Sequence, residues 1–168
     1  QFPEYYQLKF QLPVITLDSA QQKMLASGQC MLKIIPFNDT AICLIIRPDT
    51  SLLLMTGFGE QRLKDLDIVL DGLRKYPEQA ELPEAVFAKN QQAFVDASAR
   101  VYNSLLAPLA PWLDKDIILA PNGIFNEIPF EALLTSPTTQ VARPGSWAFW
   151  GEGKNISYTS SATIFQFV

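Results

Sequence analysis

Apolar runs separated by short polar turns dominate the first third of the chain. Three runs rich in Ile, Leu and Met occupy Cys30–Phe37, Ala41–Arg47 and Ser51–Thr56. They are separated by Asn38-Asp39-Thr40 and Pro48-Asp49-Thr50, residue types that favour tight turns. The pattern predicts three short strands joined as an antiparallel meander.

A short helix is predicted before this meander, over Leu17–Ala26. Asp18 or Ser19 suits its N-cap, and Gly28 is a typical stop signal.

Two longer helices are predicted after the meander. Four leucines of the first recur at a helical spacing and share one stripe: Leu63, Leu66, Leu70 and Leu73. Pro77–Pro83 is predicted to be a loop, and Pro83 suits the first turn of a second helix that runs to about Leu106. The apolar side of that helix is formed by Phe87, Phe94, Ala97, Val101 and Leu105.

The pattern changes again after Trp112. Lys115–Ala120 ends in four apolar residues, which is typical of a strand buried on both faces of a parallel sheet. A turn and a short helix over Ile128–Leu134 follow, then a strand at Ile156–Tyr158 and a last helix over Ala162–Phe167. We therefore predict an α/β fold, in which an antiparallel β-meander and two helices lead into the first strands of a parallel, helix-flanked sheet.

The predicted organisation has three parts. Residues 1–27 join the chain to an upstream region, residues 28–82 form the meander and a helix, and residues 83–168 form the long helix and the first half of the core.

Composition excludes several classes of function. The chain of 168 residues is 48% hydrophobic and carries a net charge of −4, with no basic run. Nucleic acid is therefore not expected as the main partner, because phosphate binding needs clustered Lys and Arg. The apolar runs are too short to span a bilayer, so no membrane insertion is expected. The sequence also predicts no cofactor.

The absence of histidine excludes Ser-His-Asp, Cys-His and His-based metal sites within this chain. Cys30 and Cys43 lie in strand-like apolar runs, which is typical of small buried hydrophobic residues. Two such cysteines form no disulfide framework, so a cytoplasmic location is expected.

Three weaker patterns favour ordinary structural roles. Gly57-Phe58-Gly59 lacks the third glycine of a dinucleotide fingerprint, and Gly151–Lys154 lacks two positions of a phosphate loop. Asp65, Asp67 and Asp71 could form a carboxylate cluster, but the neighbouring basic residues favour a solvated helix face.

The segment Thr135–Lys154 is predicted to be a long loop with three aromatic residues, Trp147, Phe149 and Trp150. Aromatic side chains in a loop either anchor it to the core or contact a partner. Trp147 and Trp150 are thus candidate partner-binding residues, with core anchoring as the alternative.

The sequence from Ile117 to Leu133 reads IILAPNGIFNEIPFEAL. It resembles the signature of the CHAT domain, a caspase-like cysteine-protease module associated with tetratricopeptide repeats. Asn155–Ile164 is similar to the second core strand of that family and the helix after it. Pro3–Lys9 and the strands after Gly28 are similar to the segment between the repeats and the protease domain. Asn126 stands where the family commonly carries a histidine that is not the catalytic one.

The resemblance implies that the catalytic His and Cys follow the third and fourth core strands, beyond the residues matched here. This chain is then the N-terminal part of a cysteine endopeptidase and contains no catalytic residue. The implied partners are the downstream half of the domain, upstream tetratricopeptide repeats and a protein substrate. A non-catalytic interaction scaffold of the same fold is the alternative.

Overall fold

The computed structural model describes residues 15–79, 81–138 and 144–160. They form an α/β fold around one mixed five-stranded sheet with the order β3-β2-β1-β4-β5. The strands are β1 Gln29–Phe37, β2 Thr40–Ile46, β3 Ser51–Gly57, β4 Asp116–Pro121 and β5 Asn155–Tyr158. The helices are α1 Leu17–Ser19, α2 Glu60–Arg74, α3 Tyr76–Gln79 and α4 Glu84–Leu105.

The predicted meander is confirmed. β1 pairs antiparallel with β2, and β2 pairs antiparallel with β3. Asn38 takes a positive φ of 51° in the first turn, a conformation that Asn tolerates better than most residues. The hydroxyl of Thr40 donates to the Phe37 carbonyl across that turn at 2.7 Å.

The parallel strands continue the same sheet. β4 lies between β1 and β5 and is parallel to both, so its apolar run is buried on both faces as predicted. The sequence predicts a meander that leads into a parallel sheet; instead the meander strands, with Cys30 in β1 and Cys43 in β2, belong to the same sheet as β4. A long-range pairing between β1 and β4 leaves no local signal in the sequence.

Helices α2 and α4 cover one face of the sheet and form the main core with it. The leucine stripe predicted for α2 is only half right: Leu66 and Leu70 are buried, whereas Leu63 and Leu73 are exposed. The buried stripe also contains Val69, and it lies roughly a quarter turn away from Leu63. The apolar side predicted for α4 is confirmed, with Phe87 at its partly exposed end.

Two helix boundaries differ from the predictions. Thr16, and not Asp18 or Ser19, caps α1, because its hydroxyl accepts from the Ser19 N–H at 3.2 Å. The helical segment continues over Ala20–Met24 and packs on the second face of the sheet near Met31. The predicted loop Pro77–Pro83 is also partly helical, since α3 extends into it as far as Gln79.

Pro83 is the N-cap residue of α4 and lies just before its first turn. The prediction for Ala162–Phe167 and the similarity at Pro3–Lys9 fall outside the described residues. In the three described ranges, no helix is long and apolar enough to cross a membrane.

Candidate functional site at the ends of the parallel strands

The segment that carries the motif leaves β4 through a sharp turn. The Asn122 N–H donates to the Ile34 carbonyl at 2.9 Å, so the turn is fixed against the end of β1. Gly123 has a φ of +58°, and a Cβ there would lie 3.0 Å from the Cγ of Pro36. Both the conformation and the close approach favour glycine at this position.

The residues after this turn form short 3-10 turns, at Gly123–Glu127 and Phe130–Ala132. The predicted helix over Ile128–Leu134 is therefore wrong. Ile128 is extended at ψ 118°, because the ring of Pro129 disfavours a helical conformation in the residue before it.

The apolar residues of the motif nevertheless face the core. Phe125, Ile128, Phe130 and Leu133 are all buried, and the ring of Phe125 meets Phe58 edge-on with centroids 4.9 Å apart. The motif is thus a packed strand-to-strand connection rather than a helix.

Tyr158, at the end of β5, connects the two parallel strands to this segment. Its hydroxyl accepts a hydrogen bond from the Phe130 N–H at 3.1 Å and donates one to the carboxylate of Glu131. Burial is the main cause that raises the pKa of Tyr158 above its ordinary value, and the carboxylate of Glu131 is the second. The phenol therefore stays neutral. Sequence reasoning missed this contact, because its partners are 27 residues apart on different elements.

One edge of β5 faces β4. The N–H groups of Asn155 and Thr159 donate to the carbonyls of Lys115 and Leu119 at 3.0 and 2.8 Å. Alternate residues of a strand direct their backbone groups to the same side, so those of Ile156 and Tyr158 point to the opposite edge. Within the described residues, no strand pairs with that edge.

The two candidate partner-binding residues are buried. Trp147 is 7% exposed and stacks on Phe94 at a centroid distance of 5.7 Å, and Trp150 is 2% exposed. The backbone N–H of Trp150 donates to the Leu133 carbonyl at 2.7 Å. The alternative of core anchoring is thereby confirmed, and a partner-binding role for Trp147 and Trp150 stays a prediction.

Both cysteines are free and fully buried. Burial raises the pKa of each thiol, and because the thiolate is the reactive form, neither suits a nucleophile. The interpretation of Cys30 and Cys43 as small buried residues is confirmed.

The acidic residues of α2 differ from the expectation of a solvated face. Asp67 and Asp71 are exposed, but Asp65 is fully buried and is held by two arginines, Arg62 and Arg100. Asp65 shares the buried side of the helix with Val69, four residues later, and the leucine stripe read from the sequence did not include it.

Comparison with protein-family models and with curated proteins found no match. In the part of the chain that the structure covers, no group of three or more His, Cys, Asp or Glu residues could hold a metal ion.

Proposed function

We propose that this chain is the N-terminal part of a CHAT-type, caspase-like cysteine endopeptidase and that it lacks the catalytic His and Cys. The observation that carries the proposal is the parallel pairing of β4 with β5 through the packed segment that resembles the family signature. The open edge of β5 supports it further, because the fold implied by the resemblance has more strands than the two matched here.

In such a parent protein, a cysteine thiolate attacks the peptide carbonyl and a histidine transfers the proton. This chain would contribute the rigid sheet on which the catalytic strands are aligned. Its proposed partners are the downstream half of the domain, upstream tetratricopeptide repeats and a protein substrate, in the cytoplasm. The loop that contains Trp147 and Trp150 would face the upstream repeats.

A non-catalytic scaffold is the second candidate. It accounts for the same observation without any chemistry elsewhere in the parent protein: both cysteines are buried in the sheet and the chain contains no histidine. In that case the same fold serves only to bind other proteins.

The decisive experiment uses the full-length parent protein. We would measure casein cleavage and covalent labelling by a peptide that carries a thiol-reactive group, and locate the label by mass spectrometry. The proposal expects cleavage, with the label on a cysteine outside residues 1–168. The double variant Cys30→Ala/Cys43→Ala is the matched control and should keep its activity within a few fold.

Two results would contradict the proposal that the parent protein is an endopeptidase with its catalytic residues outside this chain. A folded parent protein that neither cleaves casein nor takes up the label would favour the scaffold. A complete loss of activity in the folded double variant would assign the chemistry to the buried thiols.

A further inference from the structure

A cavity of about 170 Å³ lies between α2, α4 and the segment that follows Ser146. Its walls are apolar and largely aromatic, formed chiefly by Leu73, Phe94, Trp147 and Phe149. None of the described residues that line it is charged. A neutral, apolar occupant therefore suits this cavity.

The aromatic walls are held in place by mutual contacts. Trp147 stacks on Phe94 with an interplanar angle of 27°, and it contacts Phe149 at a centroid distance of 6.1 Å. Phe94 in turn lies against Gly72, where an added Cβ would come within 2.7 Å of its ring. The cavity is thus formed before any ligand enters.

Two amides give the cavity a polar side. The side chains of Asn90 and Gln91 line it, and Gln91 is only 6% exposed. Neither amide has a hydrogen-bond partner among residues 15–79, 81–138 and 144–160, whereas the amide of the neighbouring Gln92 donates to Asp96 at 2.9 Å. The Gln91 amide lies at the cavity and is free to pair with a hydrogen-bonding group of a ligand.

We propose that this cavity binds a small, neutral aromatic molecule with one ring and one hydrogen-bonding substituent, such as a phenol. The volume supports a single ring, since an apolar cavity of about 150 Å³ accepts benzene and drug-sized ligands need about 300 Å³ or more. The ring packs against Phe94, Trp147 and Phe149, and the substituent bonds to Gln91. The proposal is independent of the proposed peptidase.

The test is calorimetric titration of the intact chain with p-cresol and with toluene, which differ by one hydroxyl group. We expect p-cresol to bind roughly tenfold more tightly than toluene, as one hydrogen bond to an otherwise unpaired amide predicts. Gln91→Leu removes the amide and should abolish this preference. The matched control is Gln92→Leu, which alters a neighbouring amide outside the cavity and should leave both affinities unchanged.

A second variant, Leu73→Trp, fills the cavity from a partly exposed position and should abolish the binding of both probes. Circular dichroism establishes that each variant is folded, and the comparison of the two probes on the unmodified chain needs no variant. The proposal is overturned if neither probe binds, or if both bind equally. It is also overturned if N-acetyl-tyrosinamide binds more tightly than p-cresol, because the site would then belong to a tyrosine side chain of a protein partner.

Discussion

The buried carboxylate of Asp65 allows a quantitative test of how charge is held between α2 and α4. Its Oδ1 accepts hydrogen bonds from the Nε and Nη2 of Arg100 at 3.1 and 2.8 Å. Its Oδ2 lies 2.9 Å from the Nη1 of Arg62 but without the angle of a hydrogen bond, so Arg62 contributes charge only. The Asp65 side chain is 0% exposed, whereas those of Arg62 and Arg100 are 21% and 46% exposed.

This difference in exposure predicts which substitution lowers the free energy of unfolding more. In Asp65→Ala, both arginines can turn towards water, and we expect a loss of about 2 kcal/mol, near the value of charged hydrogen bonds. In Arg62→Ala/Arg100→Ala, a charge stays buried without a partner, which costs about 3–5 kcal/mol. The triple variant Asp65→Ala/Arg62→Ala/Arg100→Ala no longer buries an unpaired charge, so its loss in stability should again be about 2 kcal/mol. Adding Asp65→Ala to the double arginine variant should therefore stabilise it.

The free energy of unfolding is measured by urea denaturation followed by circular dichroism. Lys75→Ala is the control on the same helix, because its ion pair with Asp71 at 3.0 Å is more than half exposed and should contribute less than about 1 kcal/mol. If Asp65→Ala were as destabilising as the double arginine variant, or if the triple variant were less stable than the double one, the argument from exposure would be refuted.

Three further predictions concern the packed connection and the sheet. Gly151→Ala should destabilise the fold by about 1–3 kcal/mol, because its Cβ would lie 2.7 Å from the Cβ of Glu131 and 3.0 Å from its backbone. Gly145→Ala, whose Cβ would meet no described residue within 4 Å, is the control in the same denaturation assay. Tyr158→Phe should remove the contribution of the phenol, which is fully present below the ordinary tyrosine pKa of about 10 and is lost as the pH rises through the raised pKa of the folded state. Denaturation between neutral and alkaline pH checks this, and an equal alkaline loss in both proteins would contradict it. Both cysteines should resist iodoacetamide in the native state and react after unfolding, as measured by mass spectrometry, and rapid native labelling would show that they are accessible.

The local elements of the fold could be read from the sequence. Turn residues between apolar runs predicted all three strands of the meander, and periodicity predicted both long helices. These signals are local: they depend on residues within one turn or one strand. The 3-10 geometry after β4 was missed, although Ile128 precedes a proline and that rule is also local.

Much less of the candidate site could be predicted from local sequence pattern. The sequence contains the motif at 117–133 and aromatic residues in the following loop. It gave no means to decide whether Trp147 faces a partner or the core. The structure shows the core contact: Phe94 on α4, in a distant part of the chain, stacks on the indole.

The sequence alone was enough to predict the five strands and the two long helices in their order, the absence of histidine chemistry and the resemblance of one segment to a family signature. The tertiary structure alone decided that β1 pairs with β4, that Asp65 lies buried between two arginines, and that Gln91 faces an aromatic cavity. The physical reason is that these features join groups far apart in the chain. Their free energy comes from burial and pairing that exist only once the helices have packed on the sheet.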